Sequence, residues 1–190
     1  MEQADSLAVD LHKWFFMPLT AGVLLTRHEQ EARELFRVDA SYIPDAGHVQ
    51  AYCRGLPTSR RLSGLAVWFA LRTAGWSVIR EAIERNIQLT RDLERQLAQR
   101  GLRVMAAGQL SIACARWEPE GWSGESIDRL QQAIADDVCR RGVAWFATTL
   151  CRGKIWLRFN MVNLHSQQSH VDQLVQLVVD AAQRLSQKPI

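Results

Sequence analysis

Lys13 is the residue with the clearest chemical potential; it follows His12 and precedes Trp14-Phe15-Phe16. A primary amine attacks carbonyls once it is no longer held as a fully hydrated ammonium, and packing between aromatic and aliphatic neighbours removes that hydration. Just upstream, the apolar run Leu7 to Val9 reads as a short buried strand, so the His12-Lys13 pair stands where that strand ends. Strand ends are where α/β sheets gather ligands. An amine so placed has the chemistry of a Schiff-base lysine. On these residues alone, a solvated surface lysine is the competing reading.

Arg158 is the second residue of interest. Period-two alternation over 155–161 sends Ile155, Leu157, Phe159 and Met161 to one face of a strand and Trp156, Arg158 and Asn160 to the other. An arginine in mid-strand needs either an anionic partner or an open face, and the spacing leaves both open. The four cysteines, Cys53, Cys114, Cys139 and Cys151, have neither C-x-x-C spacing nor a close histidine. That excludes a zinc site or a secreted disulfide framework and predicts buried thiols; no metal is expected. The net charge of +3 comes from interleaved acids and bases without a basic block, so no nucleic-acid partner is expected. The longest apolar stretch, Trp14 to Leu25, contains Pro18, Thr20 and Gly22 and is too short to cross a bilayer. Glu2 and Asp5 stand where a signal peptide would be basic. No membrane partner and a cytoplasmic location follow as expectations.

Downstream of the lysine, Ala21 to Thr26 is a second strand candidate, expected beside the first. His28 to Phe36 suits a helix, and Arg37 to His48 reads as a loop holding Tyr42. Pro57 to Arg61 then opens a helix with Leu62, Leu65, Val67, Trp68, Phe69 and Leu71, apolar on most sides. Such a helix is expected to be buried all round, with Ser59 as its N-cap. Gly75 interrupts it. From Trp76 to Gln99 a longer helix carries Ile79, Ile83, Ile87, Thr90, Leu93 and Leu97, with Glu81 and Arg85 as an outward pair and Gly101 as the stop.

The remainder reads as strand, strand, helix, strand, strand, helix. The strands are Leu102 to Met105, Gln109 to Arg116, Val143 to Leu150 and Lys154 to Met161, the last two joined as a hairpin at Cys151-Arg152-Gly153. Ser123 or Ser126 caps a helix carrying Ile127, Leu130, Ile134 and Val138, which Gly142 ends. Ser169 with Asp172 resembles a capping box for a final helix burying Val171, Leu174, Val175, Val178, Ala182 and Leu185. The sum is an antiparallel sheet covered by helices.

The string A-D-S-x-A-V-D-x-H-K-W over 4–14, followed by the aromatic pair and by Ala21 to Leu25, closely resembles the cofactor-lysine segment of the group II pyridoxal-phosphate-dependent amino-acid decarboxylases. These include the aromatic-amino-acid, glutamate and histidine decarboxylases. Asp39-Ala40-Ser41-Tyr42 is similar to the D-x-x-Y context of that family's mobile loop, and S-R-R-x-x-x-L-x-x-W from Ser59 matches a further segment near its active site and subunit interface. The resemblance implies an α/β fold: the C-terminal part of a fold-type I PLP-dependent transferase-like enzyme. Residues 1–75 would be the end of the cofactor-binding large domain, with the lysine and mobile loop. Residues 76–190 would be a connecting helix and a small C-terminal α+β domain.

It further implies pyridoxal phosphate as cofactor, held by Lys13 with His12 against it, and an amino acid as substrate. Tyr42 would donate a proton to the α-carbon after carbon dioxide leaves, which favours decarboxylation over aldehyde formation. Arg158 would face the substrate carboxylate. Arg60 and Arg61 could serve a phosphate or an interface, with a solvated or structural role equally open. The complete enzyme would be a homodimer. Two departures stand out. Leu11 replaces the family's proline, which predicts a looser turn. The upstream half, with the partners of the pyridine ring and most of the phosphate-binding hydroxyls, is not in this sequence, which suggests an N-terminal truncation. The rival expectations are an inert remnant acting as an interaction module and an aldehyde synthase using the same lysine.

Overall fold

A computed structural model of the chain describes residues 3–17, 21–38, 42, 51–56, 59, 61–105 and 108–187. The chain divides into two compact units, 1–79 and 80–190.

In the first unit, β1 (Ser6–Asp10) and β2 (Gly22–Thr26) form an antiparallel two-stranded ribbon, with Ser6 opposite Thr26 and Asp10 opposite Gly22. The strands pair as expected, but β1 is not buried. Leu7 and Val9 are half-buried, whereas Ser6, Ala8 and Asp10 are exposed. The period-two pattern decides which residues share a face, and burial on both faces needs a cover on each. Helix α1 (Leu11–Trp14) follows β1 directly, and α2 (Glu29–Leu35) follows β2. Glu29 accepts from Arg33 at 2.7 Å and pairs with Arg54, in the 3₁₀ turn Ala51–Arg54, at 2.9 Å.

Helix α3 (Ser63–Gln99) begins four residues beyond Ser59, so the expected cap is not used. Its early apolar residues are exposed: Leu62 just before it by 76%, Trp68 by 54%, Phe69 by 55% and Trp76 by 60%. This overturns the expected all-round burial. An apolar helix face fixes what the helix would bury, and the described residues of this unit do not cover it. The rings satisfy one another locally, with Trp68 edge-on to Phe69 and Phe15 edge-on to Trp76. As expected, Gly75 breaks the helix, adopting φ 82° and ψ 160°, a conformation open to glycine and closed to residues with a Cβ.

The second unit is a four-stranded antiparallel sheet in the order β3-β4-β6-β5, formed by β3 (Arg103–Val104), β4 (Ile112–Arg116), β5 (Ala147–Cys151) and β6 (Lys154–Asn160). Helices α4 (Gly124–Arg140) and α5 (Gln168–Ser186) complete the expected order of elements. The core draws Leu89, Leu93 and Leu97 from α3, Ala113 and Ala115 from β4, Leu157 and Phe159 from β6, and apolar stripes from α4 and α5. Leu130, Ile134, Val138, Val175 and Val178 are 0–1% exposed. The i, i+3, i+4 spacing read from the sequence therefore marks the buried faces of α4 and α5.

Local signals set the ends. Ser123 caps α4 by accepting from the Ser126 N–H at 3.4 Å. Gly142, at φ 70°, ends it. Arg152 (φ 51°) and Gly153 (φ 72°) both adopt left-handed backbone, making the two-residue turn whose twist suits a hairpin. The cap of α5 differs from expectation. The helix starts at Gln168, so Gln167 is the capping position and its N–H donates to His170 Nδ1 at 3.2 Å. Arg85 donates to the Leu164 carbonyl at 2.9 Å, where a pair with Glu81 was expected. All four cysteines are free and half-buried, less enclosed than the composition suggested.

Candidate active site

The lysine turn is built from backbone outward. Leu11 and Met17, 8% and 6% exposed, anchor its two ends. The Leu11 N–H donates to the Ala21 carbonyl at 2.9 Å, and the Met17 N–H returns to the Leu11 carbonyl at 3.1 Å. Between them the Phe16 N–H donates to the Lys13 carbonyl at 3.4 Å, and Phe16 adopts a left-handed φ of 57°. A bulky residue in that region is strained, and the closing bonds on either side of it hold it there. Leu11 does not loosen the turn as its replacement of proline suggested. Its N–H makes a cross-strand bond that proline lacks.

Lys13 stands on α1 with its side chain 66% exposed, and its Nζ donates to Asp10 Oδ2 at 2.6 Å. The expected desolvation between aromatic neighbours is therefore not found. A one-turn helix on an open ribbon leaves its third residue in water. The hydrogen bond and the charge of Lys13 hold the Asp10 carboxyl below its ordinary range, with slight burial opposing and the His12 charge assisting. His12, half-buried, adjoins Lys13 on the same turn.

Tyr42 is 84% exposed in a turn, and Asp39, Ala40 and Ser41, which give it its motif, lie outside the described residues. Arg60 also lies outside them, and Arg61 is exposed. Arg158 belongs to the second unit. It is half-buried in β6, opposite Cys114 on one side and Ala147 on the other. Among the described residues no carboxylate lies within ion-pair distance of it. Burial pushes the Cys114 thiol up, and the Arg158 charge opposes that rise.

The structure thus joins Asp10, His12 and Lys13 on one turn and places Tyr42 and Arg158 on separate elements. It also holds an arginine that the sequence reading passed over. Arg116 is 1% exposed; its Nε donates to Glu118 at 3.0 Å, and its Nη1 to Asp128 at 2.6 Å and to the Ile155 carbonyl. Asp128 Oδ1 also accepts from the Ile155 N–H at 2.9 Å. Arg116 is the last residue of β4, where alternation alone gives no sign of burial. The acids at Glu118 and Asp128 were its signal.

No group of three or more His, Cys, Asp or Glu side chains fit to hold a metal occurs among the described residues. No described helix is long and apolar enough to cross a membrane. What the lysine turn does offer is an accessible primary amine on a backbone closed by hydrogen bonds. That donor fits an aldehyde cofactor, which needs an amine it can reach and a scaffold that keeps it in place.

The relatives bear on the same chemistry. The chain is 28% identical to an aromatic-L-amino-acid decarboxylase of Bacillus atrophaeus over 98% of its own length and 40% of that protein's. It is 26% identical to a 3,4-dihydroxyphenylacetaldehyde synthase of Aedes aegypti, over 90% of this chain and 33% of that one. The fold matches Oryza sativa TDC crystallised with PLP and tryptamine at a TM-score of 0.89 and 21% identity, covering 97% of this chain and 40% of that one. It is therefore the α/β fold of the PLP decarboxylases, in a chain that spans about 40% of the length of the first of these relatives. A family model described as the pyridoxal-dependent decarboxylase conserved domain matches residues 1–114, which include the whole lysine turn. With more than half of its residues inside that match, the chain belongs to the pyridoxal-dependent decarboxylase family.

Proposed function

We propose that this chain carries the cofactor lysine and part of the substrate site of an enzyme that decarboxylates an L-amino acid to its amine and carbon dioxide. The observation supporting this most directly is the closed turn bearing an accessible Lys13 amine, inside the segment that matches the family. Lys13 would hold pyridoxal phosphate through Nζ, with His12 against it. When bound, that cofactor supplies an electron sink for the pair left behind by the departing carboxyl group.

Residues of the chain do the rest. Arg158, half-buried and without a carboxylate partner among the described residues, presents a guanidinium fork suited to the substrate carboxylate. Tyr42, on an exposed turn, delivers a proton from its hydroxyl to the substrate α-carbon once carbon dioxide has left. Residues 1–75 act as the end of the cofactor-binding domain and 76–190 as the connecting helix and small domain. The full-length enzyme works as a cytoplasmic homodimer.

Titration with pyridoxal phosphate tests the reading, using Lys13→Ala as control. A saturable visible absorbance band and a borohydride-fixed pyridoxyl group on the Lys13 peptide, both absent in the control, are expected. Equal behaviour of the two proteins overturns the assignment for this chain and favours an interaction module. The similarity to a 3,4-dihydroxyphenylacetaldehyde synthase supports a second reading. Aldehyde and hydrogen peroxide in place of amine among the products would establish it.

A further inference from the structure

Asp10 occupies the N-cap position of α1 in extended backbone, φ −89° and ψ 98°. Aspartate there ordinarily accepts from a backbone N–H of the first turn and removes one of the unsatisfied donors at the helix start. Asp10 makes no such bond. Its carboxylate instead reaches past the cap to Lys13, three residues on, at 2.6 Å.

With Oδ2 committed to Nζ and no cap bond made by the side chain, the N–H groups at the start of α1 have no acceptor from Asp10. The charges acting on Asp10 are those of Lys13 and His12, both on its own turn, and its strand partner Gly22 adds none.

Resting on the reading of Lys13 as the cofactor lysine, we propose that Asp10 is a positioning residue which forgoes capping its own helix to hold the Lys13 amine as an ion pair until a carbonyl claims it. Nζ must give a proton to solvent before it can attack a carbonyl, and while it is neutral its hold on the carboxylate weakens and Asp10 can turn to the N–H groups of α1.

Amine labelling reads this without the cofactor. The sequence holds three lysines, Lys13, Lys154 and Lys188, so each is resolved in one peptide digest. N-hydroxysuccinimidyl acetate transfers its acetyl group to a free amine; N-hydroxysuccinimide leaves, and the proton lost by the ammonium goes to buffer. With Lys154 as internal reference, Asp10→Asn and Asp10→Ser are expected to label faster at Lys13 by about two- to threefold at low salt, the scale of an exposed ion pair. Asp10→Glu keeps the charge and stays closer to the parent.

Salt separates a held charge from a purely structural role. At about 1 M salt, where screening reaches about 3 Å, the parent's Lys13 rate rises toward that of the variants, while theirs stay level. Parent and Asp10→Asn rates that coincide and ignore salt overturn the proposal. If labelling responds as expected but borohydride fixes no pyridoxal phosphate on Lys13, the cofactor reading fails and the hold of Asp10 on Lys13 stands.

Discussion

In the second unit Arg116 is 1% exposed and bonded to Glu118, Asp128 and a backbone carbonyl, whereas in the first Lys13 is 66% exposed and, among the described residues, held by Asp10 alone. Each side chain carries one positive charge, and burial decides what that charge is for. A buried guanidinium must be fully matched, because an unmatched charge away from water is costly, and once matched it ties β4, α4 and β6 together. An exposed ammonium with a single acceptor costs little to release. It stays available for chemistry. The apolar side chains divide in the same way, closely packed in the second unit and substantially uncovered along the first half of α3.

That contrast breaks most visibly at Arg116. Arg116→Leu strands Asp128 and Glu118, and unfolding by urea, followed by fluorescence, is expected to show a loss of about 3–5 kcal/mol. Lys13→Ala is expected to leave the urea midpoint nearly unchanged. The acid response adds to this test. Burial raises the Asp128 carboxyl, but the Ile155 N–H and Arg116 outweigh it and hold the group below its ordinary range. A depressed carboxyl stabilises the fold above its ordinary value, and that contribution is lost as pH falls from about 3.9 through the lowered value. Asp128→Asn should flatten this part of a stability-versus-pH curve.

Core truncation comes next in size. Leu130→Ala, at a position 0% exposed, is expected to cost about 2–5 kcal/mol, against a few tenths for Leu62→Ala, at a position 76% exposed. Similar losses at both sites would mean that the early residues of α3 are covered after all. A smaller change of opposite sign is expected at Asn86, which is 0% exposed with neither side-chain Nδ2 nor Oδ1 hydrogen-bonded. Asn86→Leu removes two unmatched polar atoms, and a gain of about 1 kcal/mol in thermal unfolding is the outcome.

The slightest effect belongs to His28, which faces Glu31 at 3.3 Å and Asp5 at 3.5 Å. Its bonds to Glu31 and Asp5 raise it above its ordinary value, against weak desolvation. The stabilisation is complete below that ordinary value and is lost as pH rises through the elevated one. Proton NMR should find the His28 midpoint raised, and Glu31→Gln should bring it down.

The sequence made the second unit legible element by element because its signals are local. Gly142, Gly153 and Ser123 act through their own backbone or a neighbour three residues away, and the apolar stripes of α4 and α5 face inward wherever those helices pack. The α5 cap was misread by two residues because Gln167 and His170 use less typical side chains for the same exchange. In the first unit the ribbon and the break at Gly75 were equally legible. Burial was not, because periodicity names an apolar face without naming its cover. The same gap explains Lys13. Its neighbours suggested desolvation, while its place on a one-turn helix keeps it in water. Arg158 stands inside β6 with no carboxylate among the described residues near it, whereas Arg116, at the end of β4, is matched by acids that the fold brings to it.

The sheet order also sets a timetable for making the chain. The β5–β6 hairpin closes through two residues, Arg152 and Gly153, and pairs of this kind zip in about 1–10 μs. Strand β4 must wait, because Ala113 pairs with Phe159 across α4 and the whole hairpin. Closing that long stretch costs more chain entropy than closing the hairpin. On the ribosome, therefore, β4 emerges well before its central neighbour exists, and only the two-residue strand β3 can occupy one side of it in the interval. A nascent chain stalled between α4 and β6 would present that open strand to whatever chaperone or sister chain reaches it first.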